Sequence, residues 1–172
     1  MKNIIILFFV IFCSCKTPSN IVKNKEVDLT ESINNFNRIS EISEWDSIVE
    51  TVDHDIFYYY DGVLQKVISS EYGEIFKNVT DFYLLNNKIS YVVERLYQYN
   101  RPCYYNIECM KENGDTESFD LAKSNIMTNK NYFKKCKLIF QYDDTFLKEK
   151  SSRKEQKRLK GEFKSIMKMM KN

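Results

Sequence analysis

Thr80-Asp-Phe-Tyr-Leu-Leu-Asn-Asn-Lys-Ile-Ser-Tyr-Val-Val93 is two β-prone runs separated by Asn86-Asn87. Asparagine tolerates left-handed backbone, so two in succession favour a two-residue hairpin turn. Such a loop sets Leu84 opposite Ile89, Phe82 opposite Tyr91 and Thr80 opposite Val93. That face is nearly all apolar. The other carries Leu85 with Lys88, Tyr83 with Ser90 and Asp81 with Val92, a mixed set. One dry face and one wetter face is the pattern of an antiparallel sheet, and a slip of one residue would exchange them.

The same punctuation recurs along the chain. Asp61-Gly62 separates Ile56–Tyr60 from Val63–Ile68, and Asn113-Gly114 separates Ile107–Met110 from Thr116–Leu121. Lys135-Cys136 separates Asn131–Phe133 from Lys137–Phe140. Turns about 25 residues apart suggest a degenerate repeat of hairpins. The polar run Ser124–Lys130 reads as a loop. The sheet is flanked by helical periodicity. Leu29, Ile33, Phe36, Ile39 and Ile42 form one stripe. Leu159, Phe163, Ile166, Met167 and Met170 form another, preceded by a capping-box pair, Ser152 and Glu155. The expected fold is therefore α+β, an antiparallel β-meander of about seven or eight strands between an N-terminal and a C-terminal amphipathic helix. Eight strands could close into a barrel. Two amphipathic helices need a face to cover, which favours an open, twisted sheet.

The beginning of the chain carries a different message. Lys2 precedes the apolar run Ile4–Phe12, which is followed by Cys13, Ser14 and Cys15. A cation, a short apolar core and small residues make a secretory signal, and the run is too short to cross a bilayer, which needs about 20 apolar residues. Ser14-Cys15 resembles the end of the lipobox of bacterial prolipoproteins, with Phe12 where leucine is usual. The resemblance covers the first fifteen residues. It implies cleavage before an acylated Cys15, a mature protein held on the extracytoplasmic side of a membrane, and palmitate-type lipid as the anchor. Acyl burial contributes about 0.8 kcal/mol per CH₂, and more than one chain is needed for stable attachment. The expected organisation is a signal over 1–14, a polar tether over 15–27 and a single α+β domain over 28–172.

Composition supports a packed body. Aromatics make up 15% of the chain and there are only 4 Gly and 2 Pro, so a core can form. Net charge is +2, with Lys and Arg concentrated beyond Phe146, which is no global nucleic-acid footprint. The basic C-terminal helix could lie on anionic lipid or dock on the sheet. Cys103, Cys109 and Cys136 leave open a disulfide or three unpaired thiols, and their spacing suggests no zinc site. No cofactor is expected.

His54, the single histidine, lies between Asp53 and Asp55. An imidazole beside carboxylates could serve as a general base or metal ligand. In a strand, however, both neighbours point away from it. The simpler reading is a solvated approach to the first strand. Tyrosine points elsewhere. Tyr58, Tyr60, Tyr83, Tyr97 and Tyr99 stud the strands, the first two sharing a face and the last two another pair of same-face positions. Tyrosine belongs in strands for packing alone, yet its apolar body and polar tip also suit partner binding. The functional expectation is a non-enzymatic, membrane-anchored envelope lipoprotein that binds a protein, peptide or glycan. The alternatives are a surface-tethered inhibitor or immunity-type protein, and an enzyme built on His54.

Overall fold

A computed structural model of the chain describes residues 19–51, 53–143 and 152–170, with side chains described from residue 29 onward. Helix α1 (Ser19–Ser40) leads into β1 (Ser47–Glu50), β2 (Ile56–Tyr60), β3 (Val63–Tyr72), β4 (Phe76–Leu85) and β5 (Lys88–Gln98). A short helix α2 (Ile107–Glu112) and a 3₁₀ turn (Leu121–Lys123) precede β6 (Asn125–Lys134), β7 (Lys137–Asp143) and helix α3 (Arg153–Met169). The seven strands pair antiparallel in simple sequence order, β1 to β7, so β1 and β7 are edges and the sheet is open. The fold is α+β, with a terminal helix on each side. Cys13, Cys15 and the rest of the signal lie outside the described residues.

Local chemistry explains the hairpins. Asp61-Gly62, Asn86-Asn87 and Lys135-Cys136 all have positive φ at both positions, the geometry of a two-residue turn whose twist matches the strands. Asn113-Gly114 behaves otherwise. Asn106 accepts a hydrogen bond from the Cys109 amide, starting α2, and Gly114 at φ 67° follows its end. The Gly114 and Asp115 amides bond back to the Lys111 and Met110 carbonyls. Asn-Gly here stops a helix, because left-handed glycine serves a helix C-terminus as readily as a hairpin. The expected strands at Ile107–Met110 and Thr116–Leu121 are therefore absent from this region.

Three further expectations are corrected. Residues 125–130, read as a loop, form the first half of β6 and pair with β5. They are polar because the helices leave that end of the sheet uncovered. Helix α1 begins at Ser19 rather than near Leu29, with no Gly or Pro between Ser19 and Ser40 to stop it. The capping box does not form: Ser152 sits at the N-cap of α3 without a side-chain cap bond, and the Glu155 carboxylate accepts from Arg158 rather than from the N-cap backbone.

The register of the β4–β5 hairpin holds only at its tip. Leu84 faces Ile89, as the turn requires, but a bulge then places Tyr83 opposite Tyr91, Phe82 opposite Val92 and Thr80 opposite Glu94. Ser90 is the extra residue. Its hydroxyl donates to the Tyr83 carbonyl at 3.2 Å, and buried Asn35 of α1 donates to the Leu84 carbonyl at 3.1 Å and the Ser90 hydroxyl at 2.7 Å. A bulge frees ladder groups that need partners, and the helix supplies them.

The bulge sorts the side chains into two layers. Phe57, Val67, Phe82, Leu84, Val92, Phe133 and Leu138 pack against Leu159 and Ile166 of α3, with Phe163, Met167 and Met170 alongside. The basic helix is docked, its apolar stripe in the core. Tyr83, Tyr91 and Val93 point to the other side and pack against Ile39, with Phe36, Ile42, Trp45 and Tyr132 around them.

Candidate functional site

Residues directly opposite in an antiparallel sheet share a face. On the α1 side the register therefore builds rows across strands β3 to β6. Ile68, Asp81, Val93 and Lys130 form one row, and Ser70, Val79, Arg95 and Thr128 the next. Tyr72, Lys77, Tyr97 and Ile126 form a third. Helix α1 sits over the hairpin end, where the Phe36 ring meets Tyr83 and Tyr91, each 4.9 Å away. The distant rows stay open. Tyr72 and Ile126 are each more than half exposed.

Cations lie over tyrosine rings across this face. The Lys66 ammonium is 5.5 Å from the Tyr58 ring centre and 5.2 Å from that of Tyr83. Lys77 similarly spans Tyr72 at 5.2 Å and Tyr97 at 5.9 Å, and Lys130 lies 5.6 Å from Tyr142. These separations fall within the reach of the cation–π attraction.

Asp81 is the charged centre of the face, only 3% exposed. Its Oδ2 accepts from Arg95 at 2.7 Å and lies 3.8 Å from the Lys66 ammonium. Asp81 Oδ1 and Arg95 Nε are buried and have no hydrogen-bond partner among the described residues. An orphaned buried group costs about 1–3 kcal/mol, so this pair is expensive as it stands. Burial pushes the Tyr83 hydroxyl up to about 12, with Asp81 adding to the shift. Burial also raises Tyr58 and lowers Lys66, the latter against the pull of Asp81.

Beside this pair lies a hollow of about 350 Å³ between α1 and the sheet. Phe36, Tyr83, Tyr91 and Tyr132 give it aromatic walls, while Asp81, Arg95 and Lys130 supply its polar groups.

The expected tyrosines separate into three fates. Tyr58, Tyr83 and Tyr97 do share the α1 side. Tyr60 ends β2 beside a second hollow lined by Arg38, Trp45 and Asp46. Tyr99 has left β5, and its ring stacks edge-on against Phe119 at 5.1 Å. Asp81, Arg95, Lys66, Lys77, Lys130 and Tyr72 were not singled out from sequence. Alternation within each strand carried part of the signal, and the bulged β4–β5 register brings Arg95 and Lys130 onto the face that Lys66, Tyr72, Lys77 and Asp81 share.

His54 lies in the turn before β2 with φ 62°, not in a strand. Its Nδ1 is 3.7 Å from exposed Glu50, and its ring meets Tyr72 edge-on at 5.9 Å. Among the described residues no three His, Cys, Asp or Glu side chains gather as a metal site. Cys103, Cys109 and Cys136 are free thiols. No described helix is long and apolar enough to cross a membrane.

The sheet, its two helices and one half-covered face define an α+β module with a tyrosine- and cation-bearing surface. Comparison with protein-family models, curated proteins and solved structures found no match to the chain.

Proposed function

We propose that this protein is a cell-envelope lipoprotein, anchored through acylated Cys15, that binds a partner on the open half of its α1 side. The carrying observation is that α1 covers only the hairpin end of a face whose remaining rows hold exposed Tyr72 and Ile126 beside Lys77 and Tyr97. Tyrosine is among the residue types enriched where surfaces bind. The anchor rests on Ser14-Cys15 and the short apolar run before them.

Two variants test the two halves. Cys15→Ser should lose acyl label and membrane association; undiminished labelling would remove the anchor. Tyr72→Ala with Tyr97→Ala should abolish capture of a partner from solubilised envelopes while the folded far-UV spectrum persists. Unchanged capture would remove the binding face.

A further inference from the structure

The three two-residue turns, Asp61-Gly62, Asn86-Asn87 and Lys135-Cys136, stand at one end of the meander, and the connection 99–124 stands at the other. The turn end is divided by charge. Lys88, Lys135 and Lys137 are exposed beside the β4–β5 and β6–β7 turns. None of the three has an acidic partner among the described residues, whereas at the other end Lys123 pairs with Glu117 and Arg101 with Asp115. Helix α3 adds to them. The Lys160 ammonium donates to the Cys136 carbonyl at 3.1 Å, so this side of α3 faces the turns, and exposed Lys164 follows one helical turn later. The acids of the helix, Glu155 and Glu162, turn to Arg158 on its other side. Against these lysines stands Glu31, which lines the hollow between the two turns and α1. The corner beside the β2–β3 turn is acidic. Glu41, Glu44 and Asp46 gather there with Arg38 as the opposing charge, and Asp46 accepts from the Gly62 amide at 3.0 Å.

The basic corner is also the one from which α1 leaves the sheet. Ser32 donates to the Phe133 carbonyl of β6 at 2.8 Å, Asn35 reaches β4 and β5, and Arg38 donates to Gln65 of β3 at 2.7 Å. The helix therefore crosses the strands, and the residues before Ser32 run past β6 and the β7 edge. From Ser19 to Ser32 it extends about 20 Å, against about 5 Å for the one strand left to cross. Cys15 is four residues before Ser19, a reach of at most about 14 Å. An acyl group there keeps the domain beside the bilayer, and it does so from the basic corner.

We infer that the β4–β7 corner of the hairpin end rests on an anionic lipid surface, with Lys88, Lys135, Lys137, Lys160 and Lys164 toward the headgroups. Lysines at such a surface are attracted over about a Debye length, and the acidic β2–β3 corner is repelled. Tyr72, Tyr97 and Ile126 lie at the opposite end of their strands, so this orientation turns the open rows away from lipid and towards a partner. It rests on the Cys15 anchor proposed above.

The experiment is lysine footprinting of the mature protein, purified from envelopes and bound to vesicles of phosphatidylcholine alone or with phosphatidylglycerol. An amine-reactive reagent marks the lysines and mass spectrometry reads each one. The protein should float with both vesicles. Labelling of Lys88, Lys135 and Lys137 should fall at least threefold on the phosphatidylglycerol vesicles relative to the neutral ones, and recover in about 1 M salt, where charges are screened beyond about 3 Å. Lys111 and Lys123, in the β5–β6 connection, should label equally on both. Lys88→Glu with Lys135→Glu should make Lys137 and Lys160 label equally on the two vesicles, while Lys111→Glu with Lys123→Glu should leave their protection intact. Equal labelling of Lys88, Lys135 and Lys137 on the two vesicles, or protection of Lys111 as strong as theirs, overturns the orientation and leaves the anchor standing. Equal protection by glycerol phosphate without vesicles marks a small-anion site and overturns the lipid surface. Failure to float with phosphatidylcholine alone removes the anchor, and the orientation with it.

Discussion

Leu159→Ala tests whether α3 is an integral layer of the domain. Leu159 is 0% exposed and sits among Phe57, Phe82, Val92 and Leu138 on the α3 side of the sheet. Truncating a buried leucine costs about 2–5 kcal/mol, through lost transfer energy and the cavity left behind. The site is walled by sheet residues that cannot collapse inward without breaking strand pairing, so about 3–4 kcal/mol is expected. Domains of this kind have about 5–15 kcal/mol in total, so the variant should lose about a fifth or more of its stability. Urea denaturation followed by far-UV circular dichroism reads this directly. The midpoint should fall with the slope unchanged, while Lys157→Ala at an exposed position stays within about 0.5 kcal/mol of the parent. A loss under about 1 kcal/mol for Leu159→Ala would mean that α3 is not docked, and the two-layer packing would be wrong.

Asn35→Ala removes the side chain that satisfies the Leu84 carbonyl and Ser90 hydroxyl, and should cost about 1–3 kcal/mol in the same assay. Hydrogen exchange at Tyr91 and Val92 should quicken with it; unchanged exchange would show that the helix does not hold the bulge. Glu162, whose carboxyl is raised chiefly by burial and also by Glu94, is less comfortable charged than neutral in the fold. A raised acid contributes its stability below the unfolded value and loses it as pH rises through the folded one. Glu162→Gln should therefore match the parent below pH 4.5 and become relatively more stable towards neutrality; a difference that shrinks with rising pH would contradict this. Gly161 has open space where a Cβ would stand, so Gly161→Ala should stabilise α3 by up to about 1 kcal/mol, read as a raised denaturation midpoint.

Much of the fold was legible because its signals are local. Asp61-Gly62 and Asn86-Asn87 favour left-handed backbone and so a tight hairpin, whereas Lys135-Cys136 adopts the same positive φ without that local preference and was the weaker turn signal. The apolar stripe of α3 is likewise readable within one helix. The failures share a cause of the opposite kind. Asn113-Gly114 is ambiguous between a hairpin and a helix stop, and Asn106 decides it from seven residues upstream. The bulge at Ser90 depends on Asn35, 55 residues away in sequence. Without it, Arg95 and Lys130 would not share a face with Asp81 and Tyr83. Polar β6 residues looked like a loop because exposure, not conformation, sets their composition. Tyr58, Tyr83 and Tyr97 were visible as candidates, whereas the ion pair that organises them needed the tertiary register.

Photo-crosslinking in intact envelopes addresses the binding face most directly. A photoreactive residue placed at position 72 or 126, both exposed on the open rows, should trap a partner that the same group at position 157 on α3 does not. Equal trapping from position 157, or none from 72 and 126, would contradict the assignment of the α1 side as the working surface.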